Sequence, residues 1–384
     1  MSVLIATDFR IMLFEGRYYL KNKHYHITKR YCDAFGPAIL FTRVLEAREQ
    51  PQGSDATPLL KKVVRAKSLA AVLAGKHTAD IRSCLEDCSL AICRFPSIPA
   101  FRTAAEACRR GIPVLAECMG DAWDASWNHS AAGKLAALYY YFSMKRRVAK
   151  APFALYVTDS FLQSRYPCPG ITAAISNVAL DGFCDGSALE NRLRRINACD
   201  PKQPVLITVA AADNRSKGFD TVIRTLPLLK KDGINAKYVV AGPGDTSYLA
   251  DLARRAGVSD RVEFTGELDP AQVKERLNGA DLYIQPSRQE GLPRAVIEAM
   301  ACGCPCIGTR IGGIPELVQK EYLIRPGSPA ELCQKIKLLS RKENMASAAE
   351  ENLARSRDFD QKILDNKRHV FFESIKACLG KDCL

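Results

Sequence analysis

The sequence predicts an α/β protein of two domains, each built on a parallel sheet. Three observations carry this. Short apolar strands alternate with helical stretches, the pattern that places helices on both faces of a parallel sheet. A second run of the same type begins at Val205–Val209, after a polar stretch from Leu189 to Gln203 that holds Arg192, Arg194 and Arg195 and reads as the domain boundary. The 384 residues leave room for two domains of ordinary size, and 47% apolar with 25% charged residues is a globular composition.

The first strand is Val3 to Ala6, ending at Thr7-Asp8. The loop Phe14-Glu15-Gly16-Arg17 follows, ahead of a basic aromatic stretch from Tyr18 to Tyr31. Gly16 would let backbone approach a ligand closely, and equally suits a surface turn. Ala38 to Val44 is the second strand and Leu90 to Phe95 the third. The helix Ala100–Arg110 then leads through Gly111-Ile112-Pro113 into a fourth strand, Val114–Glu117. In open α/β sheets ligands collect at the carboxyl ends of strands. That makes Gly120, Asp121 and Trp123, just after the fourth strand, site candidates, although a turn held by an Asp side chain has the same sequence.

Lys134 to Lys150 is a helix of clustered aromatics with four cations near its end. It suits an anionic membrane surface, or a core helix with cations at its negative dipole end. Ala154–Thr158 and Thr172–Asn177 complete the first run of strands.

In the second run, Val205–Val209 leads to Arg215-Ser216-Lys217-Gly218 and the helix Asp220–Lys231. Cations in a loop before a helix start suit phosphate oxygens; solvated loop cations are the plain alternative. Tyr238–Ala241 precedes Gly242-Pro243-Gly244, only a fragment of a dinucleotide fingerprint. Val262–Thr265 ends at Gly266-Glu267-Leu268, and the helix Ala271–Gly279 precedes the strand Asp281–Gln285.

That strand opens the most informative stretch, residues 284–318. A polar loop ends at Gly291-Leu292-Pro293, a helix follows with Val296, Ala299 and Met300 on one face, and Cys306–Thr309 is the next strand. The free backbone N–H groups at the helix start, with the positive dipole end, suit an anion. Glu290 precedes the glycine turn, and Glu298 lies five residues beyond Pro293, a rise of about 7–8 Å. That is comparable with the reach from a diphosphate to its ribose, whose hydroxyls suit an acceptor-only carboxylate. Helices Pro329–Ser340, Asn344–Ser356 and Lys362–Leu379 close the chain.

Composition excludes some classes. No apolar run is long enough to span a membrane, and the N-terminus lacks the pattern of a signal peptide. Fifteen cysteines without such a signal point to a reducing cytosol rather than a disulfide framework. Their spacing does not form zinc knuckles. The net charge of +13 is uneven. Residues 1–180 hold 24 Lys/Arg against 14 Asp/Glu, the rest 31 against 28. A basic first half points to an anionic partner, and without a nucleic-acid-binding signature that partner is a phosphate-bearing substrate or an anionic membrane face.

The run Pro286-Ser287-Arg288-Gln289-Glu290-Gly291-Leu292-Pro293, with Glu298-Ala299-Met300-Ala301-Cys302-Gly303-Cys304-Pro305 and Gly312-Gly313-Ile314-Pro315-Glu316, closely resembles the retaining family-four glycosyltransferases of the GT-B fold. Arg215 and Lys217-Gly218 stand where that family carries its phosphate pair. The resemblance is strong over about residues 205–320 and looser over 1–180. It implies two Rossmann-like domains across a cleft: residues 1–185 for the acceptor, joined by a C-terminal helix of about 360–384 that crosses back, and residues 186–359 for the donor. It implies metal-independent transfer from a UDP- or GDP-linked sugar to a glycan or lipid-linked acceptor, with no further cofactor; a sugar-nucleotide epimerase of the same architecture and a non-catalytic nucleotide-binding relative are the alternatives. Cysteine usage points to the cytoplasm, and the basic first half suits a peripheral place at the inner membrane face. Arg215 and Lys217 would neutralise the departing diphosphate, helped by backbone at Gly16. Glu290 would hold sugar hydroxyls, Glu298 the ribose, and backbone around Gly266–Leu268 the base, with Gly291 and Leu292 at the helix start. Many members carry a histidine after the N-terminal domain's fourth strand. Here Asp121 stands in that stretch, and it or His129 would take over.

Overall fold

The computed structural model describes residues 2–123, 131–180 and 186–380, with backbone alone for residues 131–135. The chain divides into two compact units, Met1–Ile175 with Asn366–Leu384, and Ser176–Asp365.

The first unit is a nine-stranded sheet. Its strands are β1 (Val3–Phe14), β2 (Arg17–Leu20), β3 (Ala38–Glu46), β4 (Ser54–Asp55), β5 (Leu60–Arg65), β6 (Leu90–Phe95), β7 (Val114–Cys118), β8 (Phe153–Tyr156) and β9 (Ile171–Ala174). The parallel part runs β5-β3-β1-β6-β7-β8-β9, so successive strands go one way from β1 and then the other. β1 is longer than its apolar run predicts. After Ala6 its register against β3 shifts, and pairing resumes at Arg10. This irregularity carries a polar segment without ending the strand. β1 then turns back on β2 through Glu15 and Gly16, whose φ angles of 46° and 77° fit a two-residue hairpin.

The helix Ala131–Val148 packs its inner face on the helix Ile98–Arg109, where Tyr140 meets Phe101 edge-on at 5.5 Å and Arg147 Nε donates to the Phe101 carbonyl at 3.2 Å. The helix Gln361–Leu379 begins in the second unit and ends in the first. There Phe372 packs between Tyr31 and Phe35, at 5.6 and 5.2 Å between ring centres.

The second unit is a six-stranded parallel sheet of order β12-β11-β10-β13-β14-β15. These are Val205–Val209 (β10), Lys237–Ala241 (β11), Val262–Gly266 (β12), Leu282–Gln285 (β13), Cys306–Thr309 (β14) and Leu323–Ile324 (β15). Strand order reverses between β10 and β13, which sets a crevice at their carboxyl ends.

The polar stretch Leu189–Gln203 is not a linker. It contains most of the helix Ala188–Ala198, which belongs to the second unit. Arg192 is buried and donates to the carbonyls of Leu277 (2.9 Å), Ala280 (2.6 Å) and Cys302 (3.1 Å). These close the helices Pro270–Gly279 and Arg294–Ala301. A guanidinium satisfies orphan carbonyls at both ends and meets their negative dipole charge.

Among the described residues all thirteen cysteines are free, and no group of three or more His, Cys, Asp or Glu is placed to hold a metal ion. No described helix is long and apolar enough to cross a membrane.

Candidate active site

The loops after β10 and β13 are pressed together at the point of strand reversal. Gly218 closes the first loop at φ +73°, and a Cβ there would stand 2.1 Å from the Pro286 carbonyl oxygen, so only glycine fits. Arg288 N donates to the Ser216 carbonyl at 2.7 Å. The Arg288 guanidinium grips both carboxylate oxygens of Asp220, at 2.9 and 2.8 Å, and reaches the Arg215 carbonyl at 3.0 Å. Sequence reading missed Arg288 and Asp220, because a cation and a carboxylate 68 residues apart carry no spacing signal. The loop after β14 seals the other side. Gly313 N donates to the Gly291 carbonyl at 2.7 Å, and a side chain at Gly312 would stand 2.1 Å from the Glu290 carbonyl oxygen.

Within this frame the expected charged residues converge in part. Lys217 Nζ lies 2.6 Å from Glu290 Oε1, with their side chains 24% and 9% exposed. Arg215 is turned elsewhere, its guanidinium over the Tyr248 ring at 4.5 Å. The two cations therefore have separate partners rather than forming one clamp. Tyr248 also lines a cavity of about 230 Å³ with Asp213, Asp245, Asp220 and Arg288.

The helix begins at Arg294, with Pro293 as the residue before it. Glu298 stands one turn in and accepts from Arg294 Nε at 2.8 Å. Burial pushes its carboxyl above the ordinary glutamate range, and Arg294 offsets part of that. The sign of the pH effect follows. In the ribose role that the sequence resemblance implies, the carboxylate acts ionised, so affinity is expected to fall as pH drops through a pKa lying above the usual 4.5. UDP-glucose or GDP-mannose affinity measured by calorimetry between pH 7.5 and 5 is expected to weaken at higher pH than an exposed glutamate would allow, and Glu298→Gln to flatten the profile. Sugar nucleotides are the proper probes, since the terminal phosphate of UDP itself titrates near 6. Identical profiles for both proteins would remove Glu298 from the ribose.

Gly266 ends β12 at φ +71° and is exposed, and Leu268 packs half-buried against the core behind it. Gly291 and Leu292 are half-buried at the turn before the helix.

The structure places two expected residues of the first unit in turns. Gly16 sits at the exposed tip of the β1–β2 hairpin, where its positive φ is what the turn demands. The turn geometry accounts for this glycine without a ligand. Asp121 is the turn-holding aspartate. Its side chain is 1% exposed, Oδ1 accepts from Trp123 N at 3.1 Å and from the Tyr166 hydroxyl, and Oδ2 pairs with Arg165 at 3.0 Å. Both oxygens fix the loop after β7, so Asp121 does not offer a free carboxylate to an acceptor. His129 lies outside the described residues. His24, on the helix Asn22–Phe35, stacks on Phe9 of β1 at 4.5 Å. Burial, and after it the Arg94 charge, hold it below its ordinary pKa and hence neutral.

The fold is GT-B. The chain matches the structure of Anabaena HepE in complex with UDP at a TM-score of 0.66 and 16% identity, covering 97% of this chain and 99% of that one. Residues 190–356 match the family of group 1 glycosyl transferases. Among relatives, Protein CapJ of Staphylococcus aureus is 26% identical over 379 residues, 96% of this chain and 91% of that protein. The putative colanic acid biosynthesis glycosyltransferase WcaL of Escherichia coli is 29% identical over 180 residues, 44% of each.

Proposed function

We propose that this glycosyltransferase moves a sugar from a UDP- or GDP-linked donor to a glycan or lipid-linked acceptor, with retention at the anomeric carbon and no metal ion, in polysaccharide or glycoconjugate biosynthesis. The observation that carries the reading is the meeting of Lys217 with Glu290 where the loops after β10 and β13 are locked together. As the glycosidic bond breaks, negative charge gathers on the departing diphosphate. Lys217 exchanges Glu290 for a phosphate oxygen, and Arg215 leaves Tyr248 to join it. Cations brought to a developing anion lower the barrier more than they bind the ground state. Glu290 accepts sugar hydroxyls, Glu298 the ribose diol, and backbone at Gly266–Leu268 faces the base. HepE's UDP complex supports a uridine donor, and WcaL's name supports a glycan product.

A thermal-shift screen over nucleoside diphosphates tests the donor site, since a ligand at 100 times its Kd stabilises by about 2.7 kcal/mol. One of UDP or GDP is expected to raise the transition, and anomeric NMR of the product to show retention. No shift with any diphosphate overturns the reading. Product formed without acceptor would point instead to an epimerase.

The acceptor side is proposed to meet an anionic membrane at the cytoplasmic face. The helix Ala131–Val148 supports this. Its inner residues Ala137, Met144 and Val148 are buried, while Leu138, Tyr139 and Phe142 stay 43%, 41% and 61% exposed, with exposed Lys145 and Arg146 a turn further on. Apolar residues beside cations on one face suit an anionic bilayer. Phe142→Ser is expected to weaken binding to phosphatidylglycerol vesicles about fivefold, roughly 1 kcal/mol for part of one aromatic side chain. Sedimentation with phosphatidylcholine vesicles is the control. Equal binding of both proteins would place the contact elsewhere.

A further inference from the structure

Glu290 is where the buried polar interior of the second unit reaches the candidate site. Its Oε1 accepts from Lys217 Nζ at 2.6 Å, Gln285 Nε2 at 2.8 Å and Ser287 Oγ at 2.9 Å. The Gln285 amide nitrogen also donates to Ser287 Oγ at 2.9 Å, and its oxygen accepts the Tyr283 hydroxyl at 2.5 Å. Tyr283, Gln285 and Ser287 are all at most 2% exposed. Tyr283 and Gln285 are two residues apart on β13 and so share one face of the strand.

This order of donors has one consistent direction. Reversing the Gln285 amide would set its oxygen against the Glu290 carboxylate, an acceptor facing an acceptor. The Tyr283 hydroxyl, donating from behind, supports the orientation in which nitrogen faces Glu290. With three donors on Oε1, the carboxylate is held at one angle and Oε2 is the oxygen left to meet a ligand hydroxyl. When Lys217 turns to phosphate, Gln285 and Ser287 still hold Oε1.

We infer that Tyr283 and Gln285 are positioning residues that act through Glu290, setting how tightly the enzyme holds the sugar of its donor while leaving the nucleotide part unaffected. The inference rests on the reading of Glu290 as acceptor of sugar hydroxyls. A site built to hydrogen-bond a hydroxyl discriminates through the alignment of its polar group, and a carboxylate free to rotate loses that alignment.

The test compares sugar nucleotides with their parent diphosphates. Affinities for UDP, UDP-glucose, UDP-N-acetylglucosamine, GDP and GDP-mannose are measured by calorimetry on the full chain. Tyr283→Phe removes one oxygen and keeps the ring in the core. For the sugar nucleotide that the wild type binds best, this variant is expected to lose about tenfold in affinity, the scale of one aligned hydrogen bond to a charged group. The parent diphosphate should stay within twofold. Gln285→Met, of similar volume, is expected to give the same split and serves if the first variant folds poorly. Equal losses for diphosphate and sugar nucleotide would mean a merely structural role and overturn the inference, as would no loss at all. A wild-type protein that binds none of the five probes overturns the donor-site reading itself, and this inference with it.

Discussion

Lys217→Ala is expected to lower kcat about 10²–10³-fold, the cost of removing one donor from a developing negative charge. The motive is the Lys217 ammonium, which lies at the strand-reversal crevice with Glu290 as its partner at 2.6 Å. The variant should fold normally. Glu290 Oε1 keeps Gln285 and Ser287 as donors, so truncation strands no buried charge. KM for the sugar nucleotide should change much less than kcat, because in the proposed mechanism the interaction strengthens as the diphosphate departs. Steady-state kinetics with the donor found by the thermal screen decide the point. A kcat within fivefold of wild type would remove Lys217 from leaving-group stabilisation.

The largest effect on stability is expected far from any substrate. Arg192→Met should cost about 3 kcal/mol, read as a fall of roughly 6–12 °C in the transition of the second unit. The methionine keeps most of the side-chain stem and the apolar contact but supplies no donor. The carbonyls of Leu277 and Cys302 would lose the hydrogen bonds they receive from Arg192, while Ala280 would keep the one from Arg195 Nε at 3.1 Å. Two helix ends would also lose the cation facing them. Urea denaturation measures the difference, and a change under 1 kcal/mol would show that water replaces the guanidinium.

Arg192 also shows why parts of this fold were hidden in the sequence. Its helix is sparse in apolar residues and rich in arginine, so it reads as a boundary. The reason for its burial exists only once two other helices end beside it. The strands Val205–Val209, Cys306–Thr309 and Leu90–Phe95, in contrast, were legible to the residue. Strands buried on both faces are continuous apolar runs, and the glycines, prolines and polar loops around them mark their ends. β5, reading Leu-Lys-Lys-Val-Val-Arg, escaped notice because an edge strand tolerates charge that hides its periodicity.

The candidate site divides in the same way. Residues 284–318 displayed Glu290 and Glu298 because strand, glycine turn and helix lie in one continuous segment. The approach of Lys217 to Glu290 spans 73 residues and depends on Gly218 meeting Pro286, a fit that no local pattern announces. Asp121 was read from its place after a strand, but its burial against Tyr166 and Arg165 comes from an element some 45 residues on. Gly16 shows the limit of composition: a hairpin and a phosphate loop both ask for glycine.

The helix Gln361–Leu379 has a consequence for how the protein is made. The first unit starts to be synthesised first, yet Phe372, which packs between Tyr31 and Phe35, is translated only after the whole of the second unit. Until then those two rings lack a neighbour they have in the finished unit. The second unit is contiguous and can complete its core as soon as it emerges. The half that is translated first is thus completed last, and a nascent chain held just short of Phe372 would carry a finished second unit beside an open first one.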